Sequence, residues 1–433
     1  MIEAVLFTVL ALGMLYGIIR LPFFKLSGVP NKIIAIIFIL KIGIVQVQVN
    51  LAKKYDVNAD IYHVFEGTRP FAKLFLTDKT TAFSIFWGQA NDVQVKPITS
   101  NFPGWNHRLQ THNDTRTLIR LNMVAIPLHW FYFSIMNLWW AFFSLCASVF
   151  LCRKIPSLPA FAMLYNKSAI QLAFFICTTS LPGCLFWFSM AFKETVAWCF
   201  FALFIIALSN VIARPGFVNI AWFVLSLLIF TSIKLYFAVA VMVFLLFYFT
   251  ANYFRRFNPI VASLLIFACI VSSWIFAEVF LNYHQFSLAI YQQANNTVNY
   301  AAKVDASTLL PSLLQGPSVF EILLAIPEAI FRILAIPFFP ETNNAKLLFP
   351  ILENYVLFSL LLIGMFHFRY KKEFALISIA MLFFALSSTA LIGITTPIIG
   401  TYIRYKVLFT PFILLALALH IDLSSIKIFR KWS

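Results

Sequence analysis

The sequence predicts an all-α fold, a polytopic transmembrane helical bundle of about eleven spans that forms a single integral membrane domain over residues 1–433. Three observations predict it. The chain is 61% hydrophobic and 11% charged, with mean hydropathy +0.88, whereas a soluble domain is about half apolar and about a quarter charged. Its apolar residues gather in runs close to the roughly 20 that a helix needs to cross hydrocarbon. The polar breaks between those runs alternate in character. One set holds Arg20, Lys25 and Lys32; Arg153, Lys154 and Lys167; Arg214; Arg255 and Arg256; Arg369, Lys371 and Lys372; and Lys427, Arg430 and Lys431, accompanied by only Glu373 and Asp422. Cation-rich short loops stay in the cytoplasm, so these breaks mark that side.

Taken in order, the spans fall near 2–19, 33–50, 133–152, 168–185, 195–213, 217–234, 236–253, 259–279, 345–367, 374–393 and 405–421. The first has Glu3 and no basic residue ahead of it and no small-residue cleavage site behind, so it reads as a retained span. An odd number of crossings puts the N-terminus outside and the C-terminus in the cytoplasm, in agreement with the cation count of each cytoplasmic turn. Residues 51–132 form a large extracytoplasmic cap loop after span 2. Its polar stretch is rich in aromatics (Phe65, Phe71, Phe75, Phe83, Phe86, Trp87, Phe102, Trp105), which favours a folded element lying partly in the interface. The run from Thr117 to Trp130 carries Arg120 and His129 around Pro127. It reads as a helix along the outer surface, and its apolarity equally fits the first half of a kinked span. A second extracytoplasmic loop, 280–344, contains a re-entrant or interfacial helix near 320–339, where Pro327, Pro337, Glu321, Glu328 and Arg332 interrupt an apolar run. Non-helical backbone at membrane depth must line a protein cavity.

Several function classes lose support at this stage. The net charge of +16 follows the cytoplasmic bias and faces anionic headgroups, so no nucleic acid is expected as a partner; membrane lipids are. Cys146, Cys152, Cys177, Cys184, Cys199 and Cys269 lie in or beside apolar runs and offer neither a disulfide framework nor metal-ligand spacing. The seven histidines are scattered. No GxGxxG, P-loop, HExxH or GxSxG is present, which removes the usual signs of dinucleotide, ATP, zinc-protease and serine-hydrolase chemistry. No internal repeat is visible, which weakens an inverted-repeat transporter.

Candidate chemistry therefore sits on the outer face. In Leu181-Pro182-Gly183 through Lys193-Glu194, Pro182 and Gly183 end one helix and Lys193-Glu194 open the next. Glu194 suits the positive end of a helix; Lys193 opposes it and wants an anion. Snorkelling and capping explain the pair as well as phosphate binding does. In Tyr402-Ile403-Arg404-Tyr405-Lys406, Arg404 presents a planar fork of donors suited to a phosphate, and headgroup anchoring is an equal reading. Lys234 runs against the positive-inside bias in a tight turn. Asp60 and Glu66, just after span 2, are carboxylates placed to take a proton from an attacking hydroxyl or to help hold a divalent cation (Mg or Mn); no other cofactor is indicated, and the metal is unknown. Arg332, Glu341 and Glu353 are further candidates, with Glu278, and Glu353 inside an apolar run demands a partner. Lys41, mid-span, fits a buried ion pair or a carbonyl contact as well as a function.

The order of these motifs has a likeness. Asn58-Ala59-Asp60-Ile61-Tyr62, then Leu181-Pro182 with Phe186-Trp187-Phe188-Ser189 and Lys193-Glu194, then Pro337-Phe338 with Glu341 and Asn343-Asn344, then Leu352-Glu353-Asn354, then Tyr402-Ile403-Arg404-Tyr405 resembles bacterial multi-span envelope proteins of polysaccharide assembly. These stand beside the glycosyltransferases of the GT-C superfamily and the O-antigen or exopolysaccharide polymerases. Ala59 stands where the pattern expects Gly, and Ile336-Pro337 where it expects Arg-Pro, leaving Arg332 one turn away as the substitute cation.

The resemblance implies a bacterial inner-membrane enzyme. It would move a sugar or oligosaccharide from a polyprenyl-(pyro)phosphate-linked donor to a glycan acceptor at the extracytoplasmic face. Asp60 is then the general base, with Glu66 the second catalytic candidate. Lys193, Lys234, Arg332, Arg404 and Lys406 are phosphate ligands, and Glu194, Glu341, Glu353 and Tyr402 support them. The alternatives are a transporter or flippase of the same lipid-linked glycans, or a non-catalytic scaffold of an envelope complex.

Overall fold

The computed structural model describes residues 2–55, 59–87, 114–154, 167–233, 259–281, 284–303, 308–336 and 348–421. Among these the regular structure is helical, and the only extended pairings are three isolated bridges. Five of the described helices are long and apolar enough to cross a membrane: Ile2–Arg20, Asn31–Ala52, Phe133–Lys154, Lys193–Val211 and Phe374–Thr395. The number rises to seven if each of two bent helix pairs is one span. The described residues are thus those of an all-helical membrane protein. It divides into two compact units, Met1–Ile155 with Cys184–Leu235, and Pro156–Gly183 with Tyr236–Ser433.

In the first unit, α1 (Ile2–Arg20) and α2 (Asn31–Tyr55) are joined by a single turn of 3-10 helix, Pro22–Phe24. Asn31 ties the join by donating to the carbonyls of Ile18 and Ile19 at 3.2 and 3.1 Å. The helix α2 continues to Tyr55, beyond the end of its apolar run at residue 50. The expected cap then contains α3 (Ala59–Thr77), α4 (Lys79–Trp87), α5 (Asp114–Val124) and the single turn α6 (Ile126–His129). Asp78 starts α4 by accepting from the Thr81 amide at 3.1 Å, an N-cap that satisfies a donor the helix leaves open. At the core of the unit stands α7 (Phe133–Lys154), buried along most of its length and packed on α1 and α2. Glu3 accepts from the Ser134 amide and hydroxyl at 3.3 and 2.7 Å, placing a carboxylate at the positive end of α7. The unit closes with α10 (Lys193–Ala213), also packed on α7, and its neighbour α11 (Phe217–Ile233).

The second unit contains α8 (Lys167–Thr179), the opening residues of α9 (Pro182–Trp187), α12 (Pro259–Phe280), α13 (Gln285–Lys303), α14 (Val319–Ala335), α15 (Leu348–Phe366), α16 (Lys372–Thr395), α17 (Ile399–Tyr405) and α18 (Thr410–Ala418). Most of these pack on α16 or α18. The run 168–185 is not one helix: it stops at Thr179 and restarts at Pro182, whose ring supplies no amide to continue the ladder. The last span is likewise broken, turning by 46° between Ile399–Leu408 and Thr410–Ala418.

Helix α14 corresponds to the segment expected near 320–339. It ends at Ile336, whose extended backbone (φ −92°, ψ 134°) is what a following proline imposes. One face, Val319, Ile322, Ala325, Ala329 and Ile333, is buried, while Phe320, Leu324 and Phe331 are exposed. It crosses α16 at Gly393, where an added Cβ would lie 2.8 Å from the Ala329 Cβ and 2.9 Å from its carbonyl carbon. Only glycine permits that approach.

Candidate functional site: a buried charged cluster in the second unit

Four short stretches from distant parts of the sequence meet in the second unit. Lys406, in the 3-10 turn after α17, and Glu353, in the second turn of α15, are buried with side chains 1% and 2% exposed and stand 3.5 Å apart. The Lys406 ammonium donates to Asn354 Oδ1 at 2.5 Å, and Asn354 Nδ2 reaches the Ala335 carbonyl at the end of α14 at 3.4 Å. On the far side the Glu353 carboxylate lies against Gly183, where a Cβ would meet Oε2 at 2.9 Å. The Gly183 amide donates to that carboxylate. A charge this deep needs a partner, and here an ammonium, an amide and the absence of a side chain at residue 183 meet the need together.

Beside this pair, α17 carries Tyr402 and Arg404. Tyr402 is fully buried and its hydroxyl donates to the Gly393 carbonyl at 3.0 Å. The same hydroxyl shares a hydrogen bond with Arg332. Arg332 binds Glu328 Oε1 through Nε at 3.0 Å and Nη2 at 2.6 Å, and the Pro311 carbonyl through Nη1 at 2.6 Å. The segment 308–310 is held next to α17 by Leu310 N to Pro397 O at 2.8 Å and Ile399 N to Thr308 O at 3.1 Å. Arg404 is half-buried between Tyr402 and Lys406. Contacts thus join Arg332 on α14 to Tyr402 on α17, and Glu353 on α15 to Lys406 in the turn that follows α17; Arg404 lies on α17 two residues from each of Tyr402 and Lys406.

A second buried acid in this unit, Glu278, accepts from the Val319 amide at 2.7 Å and from the Ser287 hydroxyl. Ser287 in turn accepts from the Trp274 indole at 3.2 Å. Glu278 therefore fixes the positive end of α14, a capping role.

The remaining candidates lie in the first unit or outside the described residues. Lys193 is half-buried at the start of α10, and Glu194 next to it is fully buried. Glu66 on α3 pairs with Arg69 at 3.4 Å, with side chains 27% and 48% exposed. Asp60 lies on α3, six residues and so about 120° around the helix from Glu66; its side chain lies outside the described residues, as do Lys234 and Glu341. Among the described residues no three His, Cys, Asp or Glu side chains stand together as metal ligands.

Lys41 proves to make a carbonyl contact. Buried in α2, it donates to the Phe188 carbonyl at 2.7 Å and to Ser144 Oγ at 3.0 Å. Ser144 also donates to Phe188 O at 2.6 Å, Gln48 reaches Phe186 O at 3.4 Å, and the Ala191 amide donates to Asn137 Oδ1 at 2.9 Å. The break 188–192 between α9 and α10 is non-helical backbone among apolar spans, and these side chains satisfy it. The sequence held a signal for this: Asn137, Ser144 and Ser148 recur at helical spacing on one face of an otherwise apolar α7.

No protein-family model, curated protein or solved structure matches this chain.

Proposed function

We propose that this protein is a membrane glycosyltransferase or polysaccharide polymerase. It transfers sugar or oligosaccharide from a polyprenyl-(pyro)phosphate-linked donor to a glycan acceptor at the outer face of a bacterial inner membrane. In this reading the chain crosses the membrane about eleven times, with its N-terminus outside, its C-terminus in the cytoplasm, and caps formed by 51–132 and 280–344. The reaction is an inverting transfer. The acceptor hydroxyl attacks the anomeric carbon and gives its proton to Asp60. The bond from that carbon to the phosphate oxygen breaks, and the leaving lipid (pyro)phosphate takes the new negative charge, which basic side chains stabilise; the candidates are Lys193 and Lys234 in the first unit and Arg332, Arg404 and Lys406 in the second. Stabilising such charge is usually the largest catalytic contribution.

The observation that carries the reading is the assembly of Gly183, Arg332, Glu353, Asn354, Tyr402 and Lys406 in one unit. These positions come from four separate stretches of the sequence, and three of them, Glu353, Asn354 and Tyr402, belong to the motifs by which the chain resembles the polysaccharide-assembly proteins. The grip of Arg332 on Glu328 adds support. Its Nε and Nη2 converge on one carboxylate oxygen, a contact that a phosphate oxygen also accepts. Glu328 is 57% exposed, so exchanging it for an incoming anion costs little.

The test is to incubate purified protein in lipid with a polyprenyl-pyrophosphate-linked oligosaccharide and resolve the products. A ladder identifies a polymerase and a single addition a one-sugar transferase. Unchanged donor in the presence of correctly inserted protein, or normal product from both Lys193→Ala and Arg404→Ala, overturns the proposal.

A further inference from the structure

Two aromatic residues between α6 and α7 adopt the left-handed backbone region: Trp130 has φ 43° and Phe131 φ 60°. Bulky side chains disfavour this conformation and persist in it only where their surroundings enforce it. The enforcement is visible. The Phe131 amide donates to His129 Nδ1 at 3.3 Å, the Phe131 carbonyl accepts from Arg69 Nη2 at 3.2 Å, and the Tyr132 amide donates to the His129 carbonyl at 2.8 Å. The His129 ring is 1% exposed. Its other nitrogen, Nε2, lies 3.1 Å from the Asn122 carbonyl on α5. Asn122, itself fully buried, is fixed by the Trp140 indole at 2.9 Å and by Leu118 O at 3.0 Å.

These contacts admit one state of the ring. Facing a carbonyl, Nε2 must carry the proton; facing an amide N–H, Nδ1 must be bare. An imidazolium would set an Nδ1–H against the Phe131 N–H and remove the acceptor that holds the strained turn. We propose that His129 is a pH-sensitive latch, closed while its ring is neutral, that pins the 130–131 turn between α5–α6 and α7 and releases it on protonation. The nearby elements carry Arg116 and Arg120 on α5, Arg69 with its partner Glu66 on α3, and Glu3 of α1, which holds Ser134 at the start of α7. Asp114 opens α5 eight residues before Asn122, about 12 Å along the axis. In α7 the charged residues are Arg153 and Lys154, in its last turn.

Burial lowers the His129 pKa from its ordinary 6.5. Above that value the ring is neutral in both folded and unfolded chains and the latch is fully effective. As pH falls below it the unfolded chain takes the proton first, so the latch loses stability until the folded ring also protonates. The Phe131 carbonyl connects the turn to Arg69 and so to Glu66; an opened turn therefore also frees that pair. This inference stands whether or not the chain transfers sugars.

Hydrogen exchange of the full chain in phosphatidylcholine nanodiscs, read by mass spectrometry over residues 126–136 and corrected for intrinsic rates, tests it. Protection should fall about tenfold between about pH 7.5 and pH 5. His129→Gln, which cannot titrate, should be flat across that range. Should that variant not fold, Phe131→Gly retains both the histidine and the residue-131 amide that faces Nδ1, so its fall should stay at about tenfold while its protection shifts by a similar factor at every pH. Wild-type protection that does not change, an equal fall in His129→Gln, or loss of the fall in Phe131→Gly overturns the latch.

Discussion

Glu353 and Lys406 form an ion pair at 3.5 Å with both side chains almost wholly withdrawn from the surface. Removing one member strands the other without compensation, which costs about 3–5 kcal/mol, whereas removing both costs much less. Lys406→Met should therefore destabilise the protein more than Lys406→Met combined with Glu353→Gln. Unfolding of the purified variants in mixed micelles measures the difference, and additive losses would mean that the two do not act as a pair.

Gly393 should be intolerant of any side chain. Its Cβ would enter Ala329, so Gly393→Ala forces α14 off α16 at about 1–3 kcal/mol. Gly13→Ala and Gly43→Ala meet nothing within 4 Å and serve as controls, neutral or slightly stabilising because alanine is the better helix former. Melting temperatures of the three variants decide it.

Replacing Lys41 by methionine keeps the unbranched stem of the side chain and deletes its hydrogen bonds to Phe188 O and Ser144. The Phe188 carbonyl keeps the Ser144 hydroxyl as a donor, so the loss is that of the Lys41 hydrogen bonds alone, about 0.5–1.5 kcal/mol each, and it should be local. Hydrogen exchange over 186–192 should accelerate before the rest of α10 responds.

Glu328 competes with any anion for Arg332. Glu328→Gln weakens that competitor, so affinity for a polyprenyl pyrophosphate should rise several-fold, while Arg332→Ala should lower it. Titration of both variants with the lipid in nanodiscs reads the two signs, and identical affinities would remove Arg332 from the phosphate site.

Asp78 gives the first unit an acid-sensitive helix start. Its hydrogen bonds with the Thr81 side chain and amide hold the carboxyl below its ordinary pKa of 3.8. The benefit is present above that value and is lost as pH falls through the lower, folded-state value. Asp78→Asn keeps a capping oxygen without the charge, so its stability should lack this acid-range decline in an unfolding series taken from neutral to strongly acid pH.

The membrane class was legible in the sequence because apolar composition and spanning length are additive, local properties. So were several ends of elements. The run 168–185 breaks ahead of Pro182, which supplies no amide to continue the helix, and α14 gives way at Ile336 because a residue before proline is pushed out of the helical region. The demand of Glu353 for a partner was equally plain, since a carboxylate inside an apolar run has no local means of compensation.

Which partner it takes was not legible. Lys406 and Gly183 lie far from Glu353 along the chain, and periodicity within one helix carries no information about the facing helix. For the same reason Lys41 left an ion pair and a carbonyl contact equally open until the fold brought the Phe188 carbonyl to it. The sequence by itself determined an all-helical membrane protein with charges that must be matched at depth. Only the tertiary structure decided the matches, because in an apolar medium a buried charge or a broken backbone is satisfied by whichever group the packing of distant helices delivers.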